Sequence, residues 1–322
     1  MDIKRFNKSA RFLVTGGAGF IGSNIAEFLL NNGFEVRVLD DYSNGRIENI
    51  DYLKSKFDIE FINGTIEDFN VCLKATENID FVLHQAAWGS VPRSIKIPLI
   101  YDRINIHGTL NMLEASKRNN INKFVYASSS SVYGDDIRLP KVEGNEGNPL
   151  SPYAITKKVN ELYAKNYFDL FGLQTIGLRY FNVFGKRQDP HSTYAAVIPI
   201  FIKYLLENKA PKINGDGTQT RDFTYIDNVI EANLLSCLST DTANGESFNI
   251  AYGTNISINE LYLYVSSLLG KEIKPIYGPS REGDILQSKA DISKAQKILG
   301  YNPKVDVYKG LRETIEWYIQ HV

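Results

Sequence analysis

Gly16-Gly17-Ala18-Gly19-Phe20-Ile21-Gly22 lies between an apolar run, Arg11–Thr15, and a stretch, Phe20–Asn31, whose Ile21, Ile25, Phe28 and Leu29 fall at helical spacing. A strand that turns into a helix through glycines leaves backbone N–H groups at a helix N-terminus, where an anion is stabilised. Gly17-x-Gly19-x-x-Gly22 fits the dinucleotide fingerprint, and Gly16-x-x-Gly19-x-x-Gly22 fits its close variant. Glycine supplies the tight turn and lets the backbone approach a pyrophosphate. Asp40 follows the next β-branched run, Glu35–Leu39, 18 residues beyond Gly22. A carboxylate there accepts hydrogen bonds from an adenosine ribose. Asp40 and Asp41 would repel a 2′-phosphate, which favours NAD over NADP; Arg37 and Arg46 are the opposing signal.

The same alternation continues. Asp58–Asn63, Phe81–His84, Lys123–Ser128 and Gln174–Tyr180 read as strands, with long helices at Ile100–Asn119 and Tyr153–Phe171. Strands and helices alternating at this spacing predict βαβ units and a doubly wound parallel α/β sheet. Ligands of such sheets bind beyond the carboxyl ends of the strands. After Asn182 the pattern loosens, with Pro and Gly punctuating Phe184–Pro190, Pro211–Gly217 and Tyr277–Gly283. Helical stretches remain at Ala196–Leu206, Ile226–Leu238, Ile258–Leu269 and Gly310–Gln320. The expected division is a dinucleotide-binding domain of residues 1–182 and 219–252. A smaller mixed α/β substrate domain takes 183–218 and 253–322.

Composition narrows the partners. With 36 Lys+Arg against 37 Asp+Glu, the chain lacks the basic excess of a nucleic-acid binder. Two cysteines, Cys72 and Cys237, exclude a disulfide framework and suit a reducing compartment. The 4 histidines show no metal-ligand spacing, so no metal is expected. No stretch approaches the ~18 apolar residues of a membrane span. The expectation is a cytoplasmic protein.

Ser151-Pro152-Tyr153-Ala154-Ile155-Thr156-Lys157 carries the chemistry. Ser151 can cap a helix and Pro152 suits its first turn. Tyr153 and Lys157 then stack at i and i+4. A nearby ammonium and the positive ring of an oxidised nicotinamide would favour the phenolate. That makes a base able to take a proton from an alcohol. Ser128-Ser129-Ser130-Ser131 ends a strand, so its hydroxyls reach the cleft beside the same alcohol. His84, at another strand end, reads as a satisfied core histidine.

With these blocks in place the chain resembles the extended short-chain dehydrogenase/reductases. Among them it is similar to the nucleotide-sugar 4-epimerases, and most to bacterial UDP-N-acetylglucosamine 4-epimerases of surface-polysaccharide pathways. The resemblance spans nearly the whole chain through His84–Ser94, Leu150–Ala154, Leu178–Gly185, Tyr194–Pro199, Arg221–Phe223 and Arg281–Asp284. It implies Tyr153 as base, Lys157 as its tuner and ribose anchor, and Ser129 as hydroxyl partner. It implies NAD held by Gly16, Gly19, Phe20, Ile21, Gly22, Asp40, Tyr42, Asn44, Gly45, Thr65, Ile66, Gln85, Ala86, Ala87, Asn105 and Tyr180. For the UDP-sugar it implies Ser90, Ser130, Ser131, Asn182, Ala196, Val197, Arg221, Arg281, Asp284 and Ser288. It also implies a homodimer through a four-helix bundle built from the Ile100–Asn119 and Tyr153–Phe171 helices. The second helix carries an apolar arc of Ile155, Val159, Leu162, Tyr163, Tyr167 and Phe168.

Blander readings stand beside some of these. Arg221–Asp222 also reads as a local ion pair, Arg281 as a solvated loop cation, and Arg93 and Trp88 as packing residues. Relatives usually place an aspartate where Thr65 follows Gly64, for the adenine amine; Asp68 is the nearest substitute in sequence. The family's dehydratases carry acidic residues just after the catalytic serine, where this chain has Ser130 and Ser131. That favours epimerisation through a 4-keto sugar. Ser288 stands where enzymes restricted to unacetylated sugars have a bulky tyrosine, which leaves room for a C2-acetamido group. UDP-glucose, a UDP-hexuronic acid, or dehydratase, decarboxylase or reductase chemistry are the alternatives.

Overall fold

The computed structural model describes residues 3–190, 195–280 and 286–321. Six parallel strands form as the alternation predicts: β1 (Arg11–Thr15), β2 (Glu35–Asp40), β3 (Glu60–Asn63), β4 (Phe81–His84), β5 (Lys123–Ser129) and β6 (Thr175–Tyr180). A seventh, Glu246–Ile250, pairs with β6 at the edge. The order, starting from that seventh strand, is then β6, β5, β4, β1, β2, β3, and every pairing is parallel. The chain order reverses between β1 and β4, so a crevice opens above their carboxyl ends.

The central strands are buried on both faces, as a sheet covered by helices requires. In β1, Phe12 and Val14 join one hydrophobic cluster while Leu13 joins the other. The first cluster does not stop at the sheet. It runs on through Phe201, Leu261 and Leu311, so the irregular C-terminal part shares the core of the sheet's helix layer. That part holds the helices Val197–Leu206, Ile258–Leu268 and Val307–His321. Short pairings tie it together, including Thr220–Arg221 with Ile256–Ser257 and Lys212–Asn214 with Ile276–Gly278.

Two differences from the periodicity matter. The expected Ile100–Asn119 helix is Pro98–Tyr101 and Gly108–Arg118, joined by a wide π-type turn over Asp102–His107. Such turns re-aim side chains and concentrate at functional sites; here the turn carries the fully buried Asn105. The helices Ile47–Lys56, Phe69–Ala75, Val91–Lys96 and Ser293–Leu299 and the seventh strand have no strong periodic signal. Ile47–Lys56, for example, buries only Asn49, Ile50 and Leu53. Among the described residues, no helix is long and apolar enough to cross a membrane, and no His/Cys/Asp/Glu group could hold a metal.

Candidate active site

A cleft of about 380 Å³ opens at the switch point. Gly16, Gly19, Phe20, Ile21, Gly22, Asp40, Asn44, Gly45, Thr65, Ile66, Gln85, Ala86 and Ala87 line it. The glycines are sterically required. Gly16 sits at φ +69°, and a Cβ there would lie 2.7 Å from Ala86 N; one on Gly22 would lie 2.2 Å from Gly16 O. The turn is folded tightly on itself, with Gly19 N donating to Gly16 O at 3.1 Å. Asp40 is buried against it, its two oxygens accepting from Ala18 N at 3.0 Å and Tyr42 N at 2.8 Å. Burial raises its carboxyl above the usual value, with these backbone N–H groups pulling the other way. A preformed ribose acceptor and a side-chain-free phosphate cradle fit a dinucleotide.

Several expected contacts sit one step back. The Tyr42 ring packs beside Phe61, 5.4 Å between centres, and its N–H donates to Asp40. Asn105 grips Trp88 by both backbone groups, accepting from N at 2.8 Å and donating to O at 3.0 Å. Tyr180 donates to Gln85 Oε1 at 3.1 Å and receives from Asn233 Nδ2 at 2.9 Å, while Gln85 Nε2 donates to Asn233 Oδ1 at 3.0 Å. Asn233 therefore fixes Gln85 in the cleft, a role that no motif signalled. Ser90 lines this cleft too, and its Oγ caps the Val91–Lys96 helix by accepting from Arg93 N at 3.3 Å. Thr65 Oγ1 accepts from Glu67 N at 3.2 Å. Asp68, the nearest substitute in sequence, caps Phe69–Ala75 through Oδ1, which accepts from Asn70 N at 2.8 Å and Val71 N at 3.4 Å.

Ser129 is the last residue of β5, level with Tyr180. Ser151 caps the helix Pro152–Phe171 by accepting from Ala154 N at 3.1 Å, which brings Tyr153 over the strand end. Burial raises the Tyr153 phenol, its hydrogen bond with Ser129 pulls it back down, and Tyr101 adds to the rise. This departs from the expected ammonium effect. Lys157 Nζ donates to Ala127 O at 2.8 Å and lies 5.9 Å from the Tyr153 ring centre. Burial lowers the Lys157 ammonium to about 8, against the charge of Glu161. The chain alone therefore does not pre-ionise the phenol. Ser131 donates its N–H to Ser129 Oγ at 3.1 Å, and its own Oγ is buried with no partner among the described residues.

Behind the helix lies a buried ionic network. Arg179 bonds Glu161 through Nε and Nη2, both at 2.8 Å, and also pairs with Glu146. Ser128 Oγ donates to Glu161 at 2.6 Å. Burial raises the Glu146 carboxyl, but the Arg179 charge and hydrogen bond, the Gly144 N–H and the Lys158 charge together outweigh it and bring it down to about 2. Strand, helix and the loop before Ser151 are thereby locked together. His84 is as expected: Nδ1 meets Thr15 Oγ1 at 2.7 Å, Nε2 meets Thr109 Oγ1 at 3.1 Å, and burial with the Lys157 charge holds it neutral at about 3.

A second cavity, about 270 Å³, is lined by Asn182, Ala196, Val197 and Arg221 together with Gln188, Lys212 and Gln219. Asn182 sits at φ +33° and donates to Asp222 O at 3.1 Å. Asp222 accepts from Gly253 N at 3.3 Å and Ala290 N at 3.1 Å, so the described bonds of its carboxylate go to backbone. Burial pushes that carboxyl up to about 7. Gln188 lines both cavities, and its Oε1 is buried without a partner among the described residues. It lies in the punctuated stretch that sequence reasoning left unread. Ser288 is buried and lines neither cavity, but stands two residues from Ala290, which clusters with Val132 and Tyr133 of the turn after the serines. Arg281 and Asp284 lie outside the described residues.

Residues 12–251 match the NAD dependent epimerase/dehydratase family. The chain is 40% identical to a UDP-N-acetylglucosamine 4-epimerase from Methanobrevibacter ruminantium, solved with UDP-N-acetylmuramic acid; the TM-score is 0.93 over 98% of this chain and 100% of that one. It is 36% identical to the Thermotoga maritima UDP-glucose 4-epimerase, solved with UDP-glucose, with a TM-score of 0.90 over 96% and 99%. A UDP-glucuronate 4-epimerase from Thermodesulfobacterium geofontis is 37% identical over 319 residues, covering 97% of each chain. A glycine cradle beside a buried ribose acceptor, a Ser–Tyr–Lys group at the strand ends and likeness over the full length converge: the chain belongs to the NAD dependent epimerase/dehydratase family, with NAD as its cofactor.

Proposed function

We propose that this UDP-sugar 4-epimerase works on the UDP-N-acetylglucosamine/UDP-N-acetylgalactosamine pair. The observation that carries the choice is a small residue, serine, at the buried position 288, two residues before Ala290 of the cluster that holds Val132 and Tyr133. The 40% identical Methanobrevibacter protein, named for the acetylated sugar, supports it. Tyr153 takes the proton from the C4 hydroxyl and later returns it, and Ser129 holds the same oxygen through its hydroxyl. Bound NAD supplies hydride acceptance and return at C4. Burial raises the Tyr153 phenol, and the positive ring of the oxidised cofactor beside it would favour the phenolate. Lys157 anchors the cofactor side. Ser130 and Ser131 offer hydroxyls and no carboxylate, so elimination lacks its acid and the 4-keto sugar is free to turn over.

The same reading gives residues 1–182 and 219–252 to NAD, and 183–218 and 253–322 to the sugar nucleotide. Arg221, Arg281 and Asp284 grip the uridine diphosphate, and Asn182, Ala196 and Val197 line its path. A homodimer and a cytoplasmic setting belong to it too. Ile155, Val159, Leu162 and Tyr163 recur at i, i+4, i+7 and i+8, and Leu162 is 61% exposed. Tyr167 and Phe168 leave the expected arc: Tyr167 is buried and donates to Glu114 at 3.1 Å, and Phe168 packs on Gly245.

The test is incubation of the purified protein with UDP-GlcNAc, UDP-Glc and their uronates, with NMR of the products. Inversion at C4 fastest for UDP-GlcNAc is expected. Inversion confined to UDP-Glc or a uronate overturns the substrate choice.

A further inference from the structure

The mouth of the cofactor cleft is crossed by side chains from two loops that no strand pairing joins. The turn after β2 brings Ser43 and Asn44; the loop after β4 brings Trp88 and Gly89, and the Val91–Lys96 helix that follows brings Arg93; all five line the cleft. Trp88 Nε1 donates to Ser43 Oγ at 3.2 Å. Both Arg93 Nη atoms donate to Asn44 Oδ1, at 3.2 and 3.3 Å. The Arg93 guanidinium lies over the Trp88 ring, 4.4 Å from its centre. Its Nε donates to Tyr101 Oη at 3.0 Å and Nη2 to Gly89 O at 3.3 Å. The Trp88 backbone is in turn pinned by Asn105 from the π-type turn. One lip is therefore rigid up to the guanidinium, and the guanidinium reaches the other lip.

We propose that Arg93 and Trp88, bridged to Asn44 and Ser43, form a strap across the cleft that keeps NAD resident between turnovers. The proposal deepens the epimerase reading and rests on it: hydride returns to the same sugar, so the cofactor ends each cycle as it began and exchange serves no purpose. A planar guanidinium pre-set by an aromatic face and several acceptors loses little entropy in closing. A lysine has neither the fork nor the stacking plane. Arg93 acts here through Asn44 and is a positioning residue.

The experiment measures NAD release from the loaded enzyme without any sugar nucleotide, by rapid dilution into an NAD scavenger with quantification of the cofactor still bound. A failed epimerase reading leaves this readout intact, so the two can fail separately. Arg93→Ala and Asn44→Ala should each speed release about tenfold, the scale of one lost charge-assisted hydrogen bond. The double variant should be no faster than the faster single one. Arg93→Lys, which keeps charge and bulk, should release nearly as fast as Arg93→Ala. Release unchanged in Arg93→Ala overturns the strap. So do effects that multiply in the double variant, which would make Arg93 and Asn44 independent ligands of the cofactor, and so does full rescue by lysine.

Discussion

The two cavities are built in different ways. The cofactor cleft comes from successive β-strand ends within one stretch of chain, residues 16–93, plus Ile104 and Gln188. Its phosphate turn is built from glycines, and its key carboxylate is fixed by two N–H groups. The second cavity is gathered from segments around residues 182, 196, 213, 221 and 258, held by pairings of two or three residues. Its anchor is a buried carboxylate, Asp222, that joins separate segments of the chain. A rigid cleft suits a cofactor that stays; a cavity assembled across the chain suits a ligand that enters and leaves on every cycle.

The largest expected effect lies at the strand end, where Tyr153 bonds Ser129. Tyr153→Phe should lower kcat by about 10²–10⁴-fold, the usual cost of a lost general base. NAD content, read by absorbance after denaturation, should stay at the wild-type level; a drop would mean that the phenol belongs to the cofactor cleft. Arg221→Ala comes next. It should raise KM for the UDP-sugar about tenfold or more, through a lost charge-assisted contact, and leave the NAD release rate unmoved. If release accelerates too, the cavities are not separable. Ser288→Tyr should cost about 1–3 kcal/mol of overpacking in turnover of the acetylated pair, while sparing UDP-Glc and UDP-Gal in competition assays. Equal slowing of both pairs removes Ser288 from the C2 pocket.

The smallest effect is on stability against pH, and it has opposite signs at the two anchors. The Asp222 carboxyl is raised to about 7, so its stabilising share is fully present below its ordinary value and is lost as pH rises through about 7. The Glu146 carboxyl is lowered to about 2. Its share is present above the ordinary carboxylate value and is lost as pH falls toward about 2. Thermal melts of Asp222→Asn should lose the decline between pH 4 and 7, with the acid limb unchanged. An unchanged decline would place the titrating group elsewhere.

The same contrast explains what could be read from residues alone. Local chemistry is legible: the glycine turn with Asp40, the Ser151 cap that sets Tyr153, and the alternating strands each announce themselves within about twenty residues. What escaped depends on distant partners. Gln188 matters because its position touches both cavities, and Asn233 because it closes a triangle with Tyr180 and Gln85. The π-type turn breaks a helix whose periodicity looked continuous. The seventh strand, with Ser247 and Asn249 in a five-residue run, carries too weak an apolar signal to stand out. The raised Tyr153 phenol also escaped, because i, i+4 spacing gives a neighbour but not where its ammonium points; Lys157 turns to Ala127 O.

The helix Pro152–Phe171 bears two loads. One side carries Tyr153 and Lys157, and the other leaves Ile155, Leu162 and Leu170 facing outward. The helix is clamped from within by Arg179 and Glu161 and left bare outside, so whatever docks on its bare side docks on the element that carries the base. If a second copy docks there, turnover per site becomes a gauge of association. Specific activity would then fall on dilution before the fold loosens, and the enzyme would sense its own abundance.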